Sequence, residues 1–177
     1  MATESGPAGD LDAEYLTLDD LEALTRTELD ELFDGAETPS VDELDGEYRG
    51  RVLTGPVFPL DDSSLATRAT MALVNNPTNP WQGKRFTPLG TDRGEGVNLL
   101  ALGPIETEVL SFEYRVEPCA YGDDDCLLLD YDQPENPPGA RRIRDEMKRV
   151  DGGLYLGRLY LAGDDDQHFV LYWALAR

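Results

Sequence analysis

Few residues in this chain have the type and spacing to do chemistry. His168 is the only histidine, so Ser-His-Asp catalysis would have to run through it, yet no G-x-S-x-G elbow presents a serine nucleophile. A P-loop, a dinucleotide fingerprint and an H-E-x-x-H run are all missing. The stretch from Gly90 to Gly96 has the glycines of a phosphate cradle, but Asp92 and Glu95 within it would oppose an anion. Cys119 and Cys126 flank a turn-like AYGDDD segment and could face each other across a hairpin. Two cysteines and His168 at that spacing fall short of a zinc set, and thiols in a cytosol stay reduced. The reading is no catalytic residue, no metal and no cofactor.

Charged residues near apolar segments are the better candidates. Lys84, one of two lysines, follows Trp81 closely; it reads either as a solvated side chain beside an aromatic plug or as a carboxylate binder at a pocket mouth. Asp130 and Asp132 face Arg141, Arg142, Arg144, Asp145 and Glu146 across a Pro-rich connection, which reads as ion pairing that holds a surface loop. Arg158 shares a parity set with Leu154, Leu156 and Tyr160. If that face points inward, a guanidinium enters an apolar interior and must find a carboxylate, a carbonyl or an anionic ligand head. If it points outward, Arg158 reaches solvent.

The elements that position these residues follow from periodicity. Thr17 and Thr25 each stand three residues before an acid, the spacing of a capping box, and leucines at 18, 21, 24, 29 and 32 make one apolar stripe. Ser40 to Glu43 reads as a further short cap. Residues 48–53, 97–102, 110–116, 126–131, 154–161 and 169–175 read as strands; in the third, Leu110, Phe112, Tyr114 and Val116 alternate with Ser111, Glu113 and Arg115. Residues 63–74 and 138–150 read as helices by the spacing of their apolar residues. Six short, mostly meandering strands with few helices predict a mainly β fold, an antiparallel barrel or strongly curved sheet, with a short helix before the last two strands.

The last two strands are apolar on both faces, so each should be covered twice, by the barrel interior and by an outer helix or loop. Candidate ligand-lining residues are Tyr131, Leu156, Arg158, Tyr160, Tyr172 and Trp173, with parity leaving open which face of residues 154–161 points inward. A barrel that holds a ligand calls for a cavity of roughly 300 Å³ or more.

Gly46-Glu47-Tyr48-Arg49-Gly50 at a strand start, Trp81-Gln82-Gly83-Lys84-Arg85-Phe86, and Gly152-Gly153-Leu154-Tyr155-Leu156-Gly157 resemble the GxWxG group of uncharacterised lipocalin-like proteins. The resemblance spans residues 42–177, with Tyr48 where the motif has Trp. It implies a calycin-type antiparallel barrel that holds a small hydrophobic molecule. It also implies a barrel-closing role for Gly46, Tyr48, Gly50, Trp81, Gly83, Lys84 and Phe86, with Trp81 and Phe86 as a plug over one end.

Composition bounds the partners. The 177 residues carry a net charge of −21; residues 1–46 hold 15 acids and Arg26 alone as a base, whereas residues 47–177 hold 21 acids and 14 bases. Such a surface repels nucleic acid, whose binding depends on Lys and Arg displacing counterions. The two lysines against 13 arginines and the abundant acids fit a protein of a salt-rich cytoplasm. No run is long and apolar enough to span a bilayer. Residues 1–40 read as an acidic helical or disordered arm and 41–177 as the barrel domain. The function these features favour is binding of a small hydrophobic molecule such as a lipid, isoprenoid or pigment. The alternatives are an isomerase or cyclase acting on such a molecule, and an interaction module using the acidic arm.

Overall fold

The computed structural model describes residues 15–53, 80–163 and 166–177. Eight strands follow one another around a closed antiparallel barrel: β1 Gly46–Val52, β2 Trp81–Pro88, β3 Gly94–Leu102, β4 Ile105–Pro118, β5 Asp125–Asp130, β6 Ile143–Asp151, β7 Leu154–Ala162 and β8 Gln167–Ala176. Each pairs with its sequence neighbour, and β8 returns to β1 through Gly50↔Leu175 and Val52↔Trp173. Closure removes both sheet edges, so every strand has hydrogen-bonding partners on two sides.

Two of these strands differ from the sequence expectation. Residues 143–151 form strand β6 rather than a helix, preceded only by a 3₁₀ turn at Ala140–Arg142. The period is two: Ile143, Asp145 and Met147 face the interior, while Glu146 and Lys148 face outward. Polar side chains on both faces hide that alternation, and apolar residues at 143, 147 and 150 mimic a helical stripe. Trp81–Pro88 is also a strand, and it carries Trp81 and Phe86 to opposite ends of the barrel rather than into one plug. The helix expected over residues 63–74 lies outside the described residues.

One barrel end is filled by aromatic rings. Tyr48, Phe86, Phe112 and Tyr114 meet in near-perpendicular or tilted pairs with centroids 5.2–6.3 Å apart, arrangements that suit the ring quadrupoles. A 3₁₀ turn at Val41–Glu43 and Leu44 cover this end; the Tyr114 hydroxyl donates to the Leu44 carbonyl at 3.2 Å. The Arg177 guanidinium lies 5.6 Å from the Tyr48 ring centroid. Glycines seat the rings: Gly94, Gly96 and Gly157 are the cross-strand partners of Tyr114, Phe112 and Trp173. A Cβ on any of them would come within 2.5 Å of the ring opposite.

Two helices clothe the outer wall. Helix α1, Leu18–Glu22, and helix α2, Arg26–Gly35, both start in complete capping boxes at Thr17 and Thr25. Leu21, Leu29 and Phe33 are fully buried against Leu154, Leu156, Tyr172 and Ala174, each such burial contributing roughly 1.5–3 kcal/mol. The apolar stripe of the acidic arm is therefore used on its own barrel. This cover explains why β7 and β8 are apolar on both faces.

Candidate functional site

Antiparallel order puts the end of β1, the start of β2, the end of β3, the start of β6 and the end of β7 at the barrel end opposite the aromatic plug. A cavity of about 80 Å³ lies there, lined by Val52, Trp81, Leu100, Leu110, Ile143, Leu159, Leu171 and Trp173 together with four polar residues, Lys84, Asn98, Tyr131 and Asp145. Its volume is well below the roughly 300 Å³ expected of a general ligand barrel, and about half that of an apolar cavity able to hold benzene.

The polar residues form one buried network. Lys84 Nζ donates to Asp145 Oδ2 at 3.0 Å, to Asn98 Oδ1 at 2.9 Å and to the Tyr131 hydroxyl. The Tyr131 hydroxyl in turn donates to Asp145 Oδ2 at 3.1 Å and accepts from Asn98 Nδ2. Trp81 Nε1 donates to Asn98 Oδ1 at 3.0 Å. The Lys84 and Asp145 side chains are 3% and 2% exposed, so this is a desolvated ion pair and not a surface contact. Burial pulls the Lys84 ammonium below its ordinary value against the pull of Asp145; burial and then the Asp145 charge push the Tyr131 hydroxyl well above its own. Four aromatic rings, of Trp81, Phe112, Tyr131 and Trp173, lie 4.8–5.5 Å from Lys84 Nζ, a cage that favours a cation.

Local chain geometry serves this network. Gly83 has φ +139°, and a Cβ there would strike the Tyr48 carbonyl, so the residue before Lys84 must be glycine. Leu110 is the one non-glycine residue with positive φ, 51°, among the described residues. It sits at the β3–β4 register shift, and its carbonyl accepts from Asn98 Nδ2 at 3.1 Å. A leucine held in the left-handed region costs energy and is found where surrounding structure dictates it, often at functional sites. Asn136 fixes Tyr131 from behind, donating to its carbonyl at 2.8 Å.

Two residues lining this cavity each carry a buried polar atom with no hydrogen-bond partner among the described residues: Asp145 Oδ1, an acceptor, and Trp173 Nε1, a donor. Buried polar atoms are rarely left so.

The structure separates the residues singled out from sequence. Tyr131 and Trp173 line the cavity. Leu156, Arg158, Tyr160 and Tyr172 do not; they stand on the outer face, where Leu156 and Tyr172 lie under the helices. Arg158 donates to the Tyr172 hydroxyl at 2.8 Å and to Asp34 of α2 at 3.0 Å, and stacks 3.9 Å from the Phe33 ring centroid. The arm, and not a ligand, satisfies this guanidinium. Tyr160 packs on Phe169 and Tyr121.

Of the barrel-closing set, Tyr48 and Phe86 belong to the plug and Gly50 lies beneath the Trp81 ring. Gly46 turns into β1 with φ +84°. Gly83 sets the backbone before Lys84, which itself is neither solvated nor at a rim. Asp145 does not share the surface pairing expected for it: Arg141 pairs with Asp132 and Arg144 with Asp130, whereas Asp145 points inward. Sequence reasoning missed Asn98, Leu110 and Asp145 as site residues. The signal for Asp145 was its parity with Ile143 and Met147, legible only once residues 143–151 are known to be a strand.

No family model matches the chain, and no curated protein does. Among solved structures it is similar to a protein from Thermomonospora curvata known from its crystal structure, at 24% identity over 87% of this chain and 88% of that one, with a TM-score of 0.54. The likeness at that identity concerns the fold: this chain is an eight-stranded antiparallel β-barrel of lipocalin-like form.

Proposed function

We infer that the barrel binds a small, mainly apolar molecule carrying one hydroxyl or similar donor–acceptor group. The observation that carries this reading is the pair of unsatisfied polar atoms, Asp145 Oδ1 and Trp173 Nε1, on residues that line a cavity whose other polar side chains bond to one another. A hydroxyl can donate to the carboxylate oxygen or accept from the indole N–H, and each orphaned group so satisfied recovers about 1–3 kcal/mol. The volume of about 80 Å³ admits such a group with few carbons and does not enclose a whole lipid, isoprenoid or pigment. The aromatic plug around Tyr48, which closes the barrel end opposite the cavity, fits the barrel-closing role that the resemblance to lipocalin-like proteins implies for that residue.

The test uses intrinsic fluorescence, because the chain has two tryptophans and both line the cavity. Short-chain alcohols titrated into the full chain should change the emission saturably and more tightly than alkanes of matching size. Trp173→Phe, read through Trp81, should erase that preference. A flat response to every apolar probe would refute the reading.

A second reading, an isomerase- or cyclase-type enzyme on the same class of molecule, is favoured by the Lys84–Tyr131–Asp145 network. A buried ammonium with a lowered pKa beside a carboxylate and a phenol is a group able to pass a proton to a bound molecule. Mass spectrometry of molecules incubated with the wild type and with Lys84→Met separates binding from turnover.

A further inference from the structure

A second buried polar cluster lies on the other side of the barrel wall, under α2. Cys126 is the second residue of β5, and its Sγ, the Sγ of Cys119 and a carboxylate oxygen of Glu146 all lie within 4.8 Å of one another. The fold brings them there by parity and by a turn. Leu127 and Leu129 point into the barrel, which turns Cys126 outward, and the Leu128↔Glu146 pairing puts Glu146 on the same outer face. The 119–126 turn, held by the Cys119 N–H donating to the Asp124 carbonyl at 2.9 Å, folds Cys119 back over them. Phe33 and Leu29 of α2 belong to the same apolar cluster as the two thiols.

Glu146 is the residue that calls for an explanation. It is 2% exposed, and among the described residues it forms no ion pair although Arg158 is its cross-strand partner, because Arg158 turns to α2. One carboxylate oxygen accepts from the Ala120 N–H; the other, Oε2, is buried with no N–H or hydroxyl partner among the described residues, the Cys126 thiol being the donor beside the carboxylate. A carboxylate so placed is costly unless something positive occupies the site.

We propose that Cys119, Cys126 and Glu146 form a binding site for a thiophilic divalent cation of the zinc type. The donor chemistry is specific. Two thiolates with one carboxylate suit zinc and cobalt and not the hard cations, which take oxygen alone. Ligands of a tetrahedral ion, at about 2.3 Å for sulfur and 2.0–2.2 Å for oxygen, lie within such a separation of one another. Three anionic ligands and a divalent ion leave one negative charge, in the field of the buried Lys148, which pairs with Asp124 at 3.5 Å, and of Arg158, which pairs with Asp34. Binding releases the thiol protons to solvent, and no electron moves. The site is separate from the cavity and does not depend on the function inferred for it.

The experiment uses the full reduced chain, stripped of metal by a chelator and titrated with Co²⁺. One equivalent should produce thiolate-to-cobalt charge-transfer absorption and the strong visible bands of a tetrahedral site, both displaced by Zn²⁺. Cys126→Ser should lose the charge-transfer intensity from one thiolate. Glu146→Gln should weaken Co²⁺ binding by more than the roughly 10–100-fold typical of losing an outer partner. Zn²⁺ should also protect both thiols of the wild type from alkylation under native conditions, a readout that needs no variant to fold. Absence of charge-transfer bands, thiols that react equally with and without Zn²⁺, or an affinity that Glu146→Gln leaves unchanged would each overturn the site.

Discussion

Lys84→Met tests whether the network at the cavity is a desolvated ion pair. The substitution keeps the stem's volume and removes the charge, leaving the Asp145 carboxylate, 2% exposed, with one hydrogen bond among the described residues, from the Tyr131 hydroxyl. Breaking a buried pair from one side costs about 3–5 kcal/mol. At about 2–4 °C per kcal/mol for a chain of this length, the melting temperature should fall by roughly 6–20 °C. Asp145→Leu should also destabilise, since it strands Lys84. The double variant should be more stable than the sum of the single losses by about 2 kcal/mol or more, because neither charge is then buried alone. Its remaining deficit should be about 1–3 kcal/mol, from the Tyr131 hydroxyl that loses its acceptor. Chemical denaturation of all four proteins supplies the cycle. Single losses below about 1 kcal/mol, or strictly additive ones, would refute the description of Lys84 and Asp145 as a dry, mutually dependent pair.

Two further outcomes follow from the wall and the arm. Glu28, which accepts from the Thr25 N–H and hydroxyl in the α2 capping box, is held below its ordinary value of 4.5 by those hydrogen bonds. A depressed carboxylate contributes stability that is present above that value and lost as pH falls through the lower, folded-state one. The difference in melting temperature between wild type and Glu28→Gln should therefore close on acidification below pH 4.5, measured in about 1 M KCl so that the net charge is screened; a difference independent of pH would contradict the capping role. Gly157→Ala would place a Cβ 2.2 Å from the Trp173 ring. It should cost about 1–3 kcal/mol as an overpacked core position and shift tryptophan emission, and an unchanged spectrum would show that Trp173 does not lie over Gly157.

The sequence by itself determined the fold class and much of its dressing. Alternation in residues 110–116, apolar residues on both faces of β7 and β8, and capping boxes at Thr17 and Thr25 are local signals, carried by neighbours within one or two turns of chain. So was the requirement for a second cover over the last two strands, which α1 and α2 meet. The glycines at 46, 50 and 157 also stood out; Gly46 turns the chain into β1, whereas the work of Gly50 and Gly157 as seats for the Trp81 and Trp173 rings is a cross-strand property.

The site itself was decided only by tertiary structure. Lys84, Asn98, Tyr131 and Asp145 come from four different strands or their ends, and their meeting depends on barrel closure and on a register that no window of sequence contains. Residues 143–151 show why. A strand whose two faces are both buried, one around Asp145 and the other around Glu146, carries charge on each and loses the alternation that would identify it. Which face of Leu154–Ala162 points inward was equally undetermined by parity, since both faces are apolar. Docking of Asp34 and Phe33 on Arg158 fixes the answer, because it gives the guanidinium a carboxylate and an aromatic face on the outer side, while the interior carboxylate of Asp145 is held by Lys84.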